Sequence, residues 1–180
     1  IVVGGPSDLL FPTVEVVGGV VVEVGGAITG AGAAQPDVVA RRLEATAGEG
    51  ITLRTTLETL VARVTNTGTL NVNETDGLDV LEATNNNGNV DVIAGANLRL
   101  GTITAGGVGS DVQLTATAGA VATLPGGLIS ADHLQASGAT GVDVATEVTS
   151  VSGEVTDTGN WRVSDQDALQ INTVNVSDGT

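Results

Sequence analysis

The sequence predicts an all-β chain wound as a right-handed parallel β-helix, a solenoid with coils of roughly 19–22 residues. Three observations predict it. The chain aligns with itself at an offset of 91, short strand patterns recur at the coil step, and aromatic side chains are almost missing.

The self-alignment runs without a gap. Leu43-Glu44-Ala45 reads against Leu134-Gln135-Ala136, and Val64-Thr65-Asn66-Thr67-Gly68 against Val155-Thr156-Asp157-Thr158-Gly159. Asp76-Gly77-Leu78 reads against Asp167-Ala168-Leu169, and Ile1-Val2-Val3-Gly4 faces Val92-Ile93-Ala94-Gly95. Twice 91 is 182, so 180 residues make almost two copies, 1–91 and 92–180 of one continuous solenoid. Tandem copies stack on their neighbours rather than folding around one central site.

The smaller period is a strand with alternating apolar residues. Ile51/Leu53, Leu70/Val72, Val90/Val92 and Val112/Leu114 step by 19, 20 and 22 residues, and Val142/Val144 and Trp161/Val163 again by 19. Period-two alternation sends these twelve residues inward and Asn71, Asp91, Gln113 and Arg162 outward; a one-residue slip reverses every one. The step is too long for a hairpin return and too short for a crossover helix, but it fits one β-helical coil. Secondary strands lie between, at Leu78-Asp79-Val80-Leu81, Leu98-Arg99-Leu100, Leu169-Gln170-Ile171 and Val174-Asn175-Val176. Turns carry Asn66-Thr67-Gly68, Asn85-Asn86-Asn87-Gly88, Gly106-Gly107-Val108-Gly109 and Asp157-Thr158-Gly159, residues that tolerate left-handed backbone. The one helical signal, Val38–Leu43 after Pro36-Asp37, predicts at most a single turn. Residues 118–133 diverge most from their counterpart, which predicts a loop or widened coil. Nine coils at the ~4.8 Å strand spacing give a length of about 40 Å.

Composition fits a narrow core. Gly is 26 of 180 residues, about double the usual ~7%, and Val and Thr suit pleated strands. Phe11 and Trp161 are the only aromatics, so the interior must be filled by stacked small and medium aliphatic side chains.

Charge narrows the function classes. The six basic residues are all Arg against 21 acidic ones, a net charge of −15, which argues against nucleic acid and anionic membranes as partners. No stretch approaches the ~20 apolar residues of a membrane span. The absence of Cys rules out a disulfide framework.

Glu74-Thr75-Asp76-Gly77-Leu78, Asn86-Asn87-Gly88-Asn89-Val90-Asp91-Val92 and Thr104-Ala105-Gly106-Gly107 resemble repeats of filamentous-haemagglutinin-like bacterial exoproteins. The resemblance covers most of the chain, most strongly 43–115 and 134–179. It implies a β-helical shaft from a large cell-surface or secreted adhesin, hence an extracellular location.

The acidic turn Asn73-Glu74-Thr75-Asp76 recurs as Ser164-Asp165-Gln166-Asp167. Glu74, Asp76, Asp165 and Asp167 are therefore the candidate ligands for Ca²⁺, a hard cation that takes 6–8 oxygens; the competing reading is a solvated turn whose charges discourage lateral strand pairing. Gly106–Asp111 matches the first six positions of a calcium-binding nonapeptide repeat, then slips at Gln113, and reads as a glycine-rich corner. His133 aligns with Arg42 and is expected on the surface beside an inward Leu134. Thr-x-Thr pairs such as Thr65/Thr67 fall out of register between coils, which argues against an ice-binding ladder and for ordinary strand-edge threonines. Glu74, Asp76, Asp79 and Glu82 form the densest acidic stretch, but no His, Lys or Tyr accompanies them, so the chain reads as a non-enzyme.

The functional reading is a structural shaft segment of a filamentous adhesin or fibre. The alternative is a Ca²⁺-dependent or carbohydrate-binding solenoid module, and a remote one is a polysaccharide-active β-helical enzyme. Expected partners are neighbouring repeats of the same chain or axially stacked copies, with host or surface glycans as further candidates. Neither terminus reads as a polar cap, which predicts an interior slice flanked by further ~91-residue units, or a fibre of stacked copies.

Overall fold

The computed structural model describes residues 1–32 and 35–177; the last three residues of the second repeat lie outside them. Sixteen strands form one sheet that winds into a β-solenoid of about nine turns, with no helix among the described residues. Every strand ladder is parallel. Parallel stacking follows from winding in one sense, because each coil brings the same stretch of strand back over itself.

The strands stack in two main files. The first file holds β2 (Leu9–Phe11), β5 (Ala27–Gly30), the start of β7 (Gly50–Val64), β8 (Leu70–Glu74) and β10 (Val90–Ala94). It continues through β12 (Asp111–Ala116), the end of β13 (Val121–Gly138), the end of β14 (Val142–Val155) and β16 (Gln170–Val176). The second file holds β1 (Val2–Gly5), β4 (Gly19–Val24), β6 (Val38–Ala47), the end of β7, β9 (Leu78–Asn85) and β11 (Leu98–Ala105). The starts of β13 and β14 and then β15 (Trp161–Asp165) complete it. A short β3 (Val14–Glu15) pairs with the start of β6.

The core is a set of aliphatic columns running along the axis. Ile28, Ile51, Leu70, Val90, Val112, Leu134 and Val151 stack in register in the first file, all buried. Leu78, Leu98, Val121 and Val142 do the same in the second. Each buried Val or Leu contributes about 1.5–3 kcal/mol before conformational entropy is subtracted. Ten of the twelve residues expected inward are buried, while Trp161 and Val163, on the last second-file strand, are half-buried against the core. Gln113 and Arg162 are exposed; Asn71 and Asp91 are half-buried on the outer face.

Three expectations need correction or refinement. Val38–Leu43 forms strand, not a helical turn: Val38 and Val39 are β-branched, and they pair with Val14 and Glu15 on one side and Thr55 and Thr56 on the other. Ladder bonds on both edges outweigh a weak local helical preference. The coil step is wider than expected, from 17 residues (Leu43 to Leu60, Leu134 to Val151) through 23 (Ile28 to Ile51, Leu98 to Val121) to 26 where the coil widens (Ile103 to Ile129). Coils are short where β7 and β14 bend from one file into the other without a turn. The divergent region does widen: Leu100 pairs with Thr123 but Thr102 with Leu128, so Leu124–Gly127 leaves the ladder.

The third concerns the repeat itself. Leu70 lies in the first file, while its counterpart Trp161 lies in the second; Leu43 lies in the second, while Leu134 lies in the first. The 91-residue offset therefore spans about four and a half coils. Val142/Val144 and Trp161/Val163 continue the second file, not the first as their spacing suggested.

Gly68 and Gly109 separate two demands of the corners. Both have positive φ, +119° and +73°. A Cβ on Gly68 would fall 1.9 Å from the Glu49 carbonyl oxygen of the preceding coil, whereas one on Gly109 meets nothing within 4 Å. Gly109→Ala should cost about 1–2 kcal/mol from backbone conformation alone. Gly68→Ala should cost about 3 kcal/mol, because the overlap is with backbone that cannot step aside. Urea unfolding of the two variants against the parent measures the difference.

Candidate functional site

Strand parity governs the acidic corners. Glu74 has the parity of Leu70 and Val72, so it points into the solenoid and is only 1% exposed. Its column neighbours are Thr55 on the preceding coil and Ala94 on the following one. Glu74 Oε2 accepts hydrogen bonds from Thr55 Oγ1 (2.8 Å) and the Leu57 amide (3.0 Å). Its Oε1 accepts from the amides of Thr75 (2.9 Å) and Asp76 (3.4 Å).

The reason lies in the bend of β7. That strand pairs with β8 of the next coil as far as Thr55 and with β9 again from Thr59, so the bend between has no strand partner there. An orphaned buried amide is costly, and the carboxylate supplies the missing acceptor. The same clasp recurs 91 residues on. Asp165 Oδ2 accepts from Thr146 Oγ1 (2.7 Å) and the Val148 amide (3.2 Å), and its Oδ1 from the Asp167 amide (3.0 Å). Asp37 closes an earlier corner, accepting from the amides of Ala31 (2.9 Å) and Arg54 (2.8 Å). Buried Asn85 does similar work in the second file, donating to the carbonyls of Gly68 (2.8 Å) and Asn89 (2.9 Å).

Environment sets the two clasp carboxyls apart. Burial pushes Glu74 up to about 7, and neighbouring Asp76 adds to the rise, against the hydrogen bond from Thr55. Burial also acts on Asp165, but hydrogen bonds from Thr146 and from the Asp167 and Val148 amides outweigh it and hold the carboxyl below its ordinary range. Exposed Asp167 is raised by sharing a hydrogen bond with Asp165.

The four candidate Ca²⁺ ligands thus divide. Glu74 and Asp165 turn toward backbone and hydroxyl donors, while Asp76 and Asp167 stay exposed on the turns. Among the described residues no three acidic or histidine side chains converge as a metal-binding group. At the glycine-rich corner, Val108 is fully exposed, the Gly109 amide donates to Asp132 Oδ2, and the Asp111 amide donates to Asn89 Oδ1 (3.0 Å).

The outer faces of the two files differ in chemistry. Ion pairs cover the second: Arg99 grips Asp79 through two 2.6 Å bonds, and Arg63 pairs with Glu82, Arg42 with Glu44 and Arg162 with Asp143. The first file instead carries amides, hydroxyls and carboxylates in register. Asn71, Asp91, Gln113 and Gln135 form one column, and Asp111, His133 and Ser150 another beside it. His133 lies on the outer face beside inward Leu134, half-buried; its ring nitrogens sit 2.9 Å from Ser150 Oγ and 2.8 Å from Ser152 Oγ. Between the columns runs a groove of about 230 Å³ across four coils. At its floor Asn71 Nδ2 donates to Asp91 Oδ2 (2.9 Å), and Asp91 Oδ1 is closed to solvent without any donor. Burial raises the Asp91 carboxyl above its usual value.

Sequence reasoning missed the groove, because it forms only when columns from successive coils lie side by side. It also missed the inward turn of Glu74, although parity with Leu70 and Val72 was available. Comparison with known protein families, with curated proteins and with solved structures finds no match to this chain.

Glu74 gives a pH dependence of definite sign. Its proton is held more tightly in the folded chain than at the ordinary value of 4.5, so the penalty for burying its charge is absent below that pH and complete above about 7. Stability from this site falls as pH rises through that window, by up to about 3 kcal/mol. Asp165 acts oppositely: its contribution is present above the ordinary carboxylate value and lost as pH falls below it. Glu74→Gln, which removes the titrating group and keeps one oxygen as acceptor, should lower stability overall but flatten the decline between pH 4.5 and 7. Thermal midpoints of both proteins across that range are the measurement.

Proposed function

We propose that the chain is a structural shaft segment of a large bacterial cell-surface or secreted filamentous adhesin or fibre. One observation carries this reading: about nine coils pair in parallel along one axis, with aliphatic columns continuing through them. Such a body transmits length and stiffness, since every coil is bonded to the next by a full strand ladder. The charge of −15 supports it by keeping an extended surface soluble and self-repelling side to side. Small-angle scattering of the purified chain should give a rod about 40 Å long or a multiple of it. Antibodies raised against it should label the surface of intact source cells or filaments in the medium. A compact scattering profile, or label confined to the cytosol, counts against the proposal.

The second reading, a module that takes Ca²⁺ at its acidic corners, draws on the exposed pair Asp76 and Asp167 at equivalent places in the two repeats. A ligand selective for the folded chain raises its stability by mass action. On this reading millimolar Ca²⁺ raises the thermal midpoint, and Asp76→Asn with Asp167→Asn removes the shift. An unchanged midpoint leaves the shaft reading alone.

A further inference from the structure

We propose that the polar groove on the outer face of the first file binds an extended, uncharged, hydroxyl-rich glycan chain laid along the solenoid axis, one sugar per coil. The inference goes beyond the shaft reading: rod shape and surface location test the one, ligand binding the other.

Four observations carry it. The groove crosses four coils, with Asn71, Asp91, Gln113 and Gln135 in a single register column along it. Successive coils place these side chains ~4.8 Å apart, a repeat comparable with the length of one pyranose in an extended chain. Carboxamides beside carboxylates present donors and acceptors together, the combination that matches vicinal hydroxyls. Finally, the acidic groups here are not neutralised as they are on the other file. Five of the six Arg residues form ion pairs there or at its corner, whereas no ion pair among the described residues involves Asp91 or Asp111.

Asp91 is the group the groove holds at greatest cost to the fold. A carboxylate held by one amide, with its other oxygen buried and undonated, is a liability to the fold. The small aliphatic and polar residues found elsewhere would be safer in that column. Its negative floor favours hydroxyl donors and repels polyanions. The rim is already set for binding, because His133 is pinned by Ser150 and Ser152 and the Asp111 strand is tied to Asn89. With no aromatic platform in the groove, affinity rests on hydrogen bonds alone and is weak for a single sugar.

The test uses the full chain with neutral β-linked cello-, xylo- and N-acetylated chito-oligosaccharides of two to six units, read by isothermal titration and NMR shift perturbation. At least one series should bind, tightening with length up to four units and then levelling. Asp91→Asn should weaken binding at least fivefold while leaving the thermal midpoint unchanged or higher, since it removes a buried charge at nearly constant shape. Gln113→Ala should weaken binding similarly, and Arg99→Ala on the other file should leave it alone. Absence of binding by all three series overturns the proposal, as does binding indifferent to Asp91→Asn. A lowered midpoint in Asp91→Asn makes that carboxylate structural and also overturns it. Saturable binding of a lysine-rich peptide in place of the saccharides would assign the groove to a basic partner and overturn it too.

Discussion

Registry between coils is the constraint on which the rest of this structure depends. A parallel ladder bonds each residue to one roughly 20 positions away, and the inward side chain of one coil rests on its counterpart in the next. The cross-section must therefore stay nearly constant. That is why Leu, Ile, Val and Ala fill the columns, and why so few aromatics are tolerated. A ring in one coil would have to be matched or accommodated by the coils on either side. Trp161 shows the consequence. It sits half-buried in the last second-file strand, and its indole Nε1 is buried without an acceptor, close to Gly153 where a Cβ would approach to 3.1 Å.

The same constraint explains where polar groups enter the core. A winding chain must bend, and a bend interrupts the ladder on one side. At Leu57 and Val148 the orphaned amides receive a carboxylate from the following coil, with a threonine hydroxyl completing each clasp. These acids are structural substitutes for a missing strand partner; burial raises Glu74, whereas at the more open Asp165 the hydrogen bonds it accepts outweigh burial and lower it. Outside, the files divide labour. One is sealed by paired charges; the other leaves amides and acids in rows, and the groove lies among them.

Most of the fold was legible in the sequence because period-two alternation and the coil step are both direct readouts of strand geometry. Ile51/Leu53 through Val112/Leu114 were placed on the correct face and in the correct file by spacing alone. Spacing failed at Val142 and Trp161, since a step of 19 residues does not say which file a strand continues. Glu74 was legible and misread: the acidic character of residues 73–76 suggested solvent, whereas its parity pointed inward. The groove was not legible, because it depends on lateral neighbours such as Asp111 and His133, 22 residues apart in sequence and adjacent in the sheet.

Because one repeat spans about four and a half coils, equivalent residues of the two repeats fall in different files: Leu70 in the first and Trp161 in the second, Leu43 in the second and Leu134 in the first. Their neighbours along the axis therefore differ as well: Leu70 stacks between Ile51 and Val90, whereas Trp161 follows Val142. A substitution made at matching positions of the two repeats thus meets two different surroundings, and matched sequence does not carry matched packing.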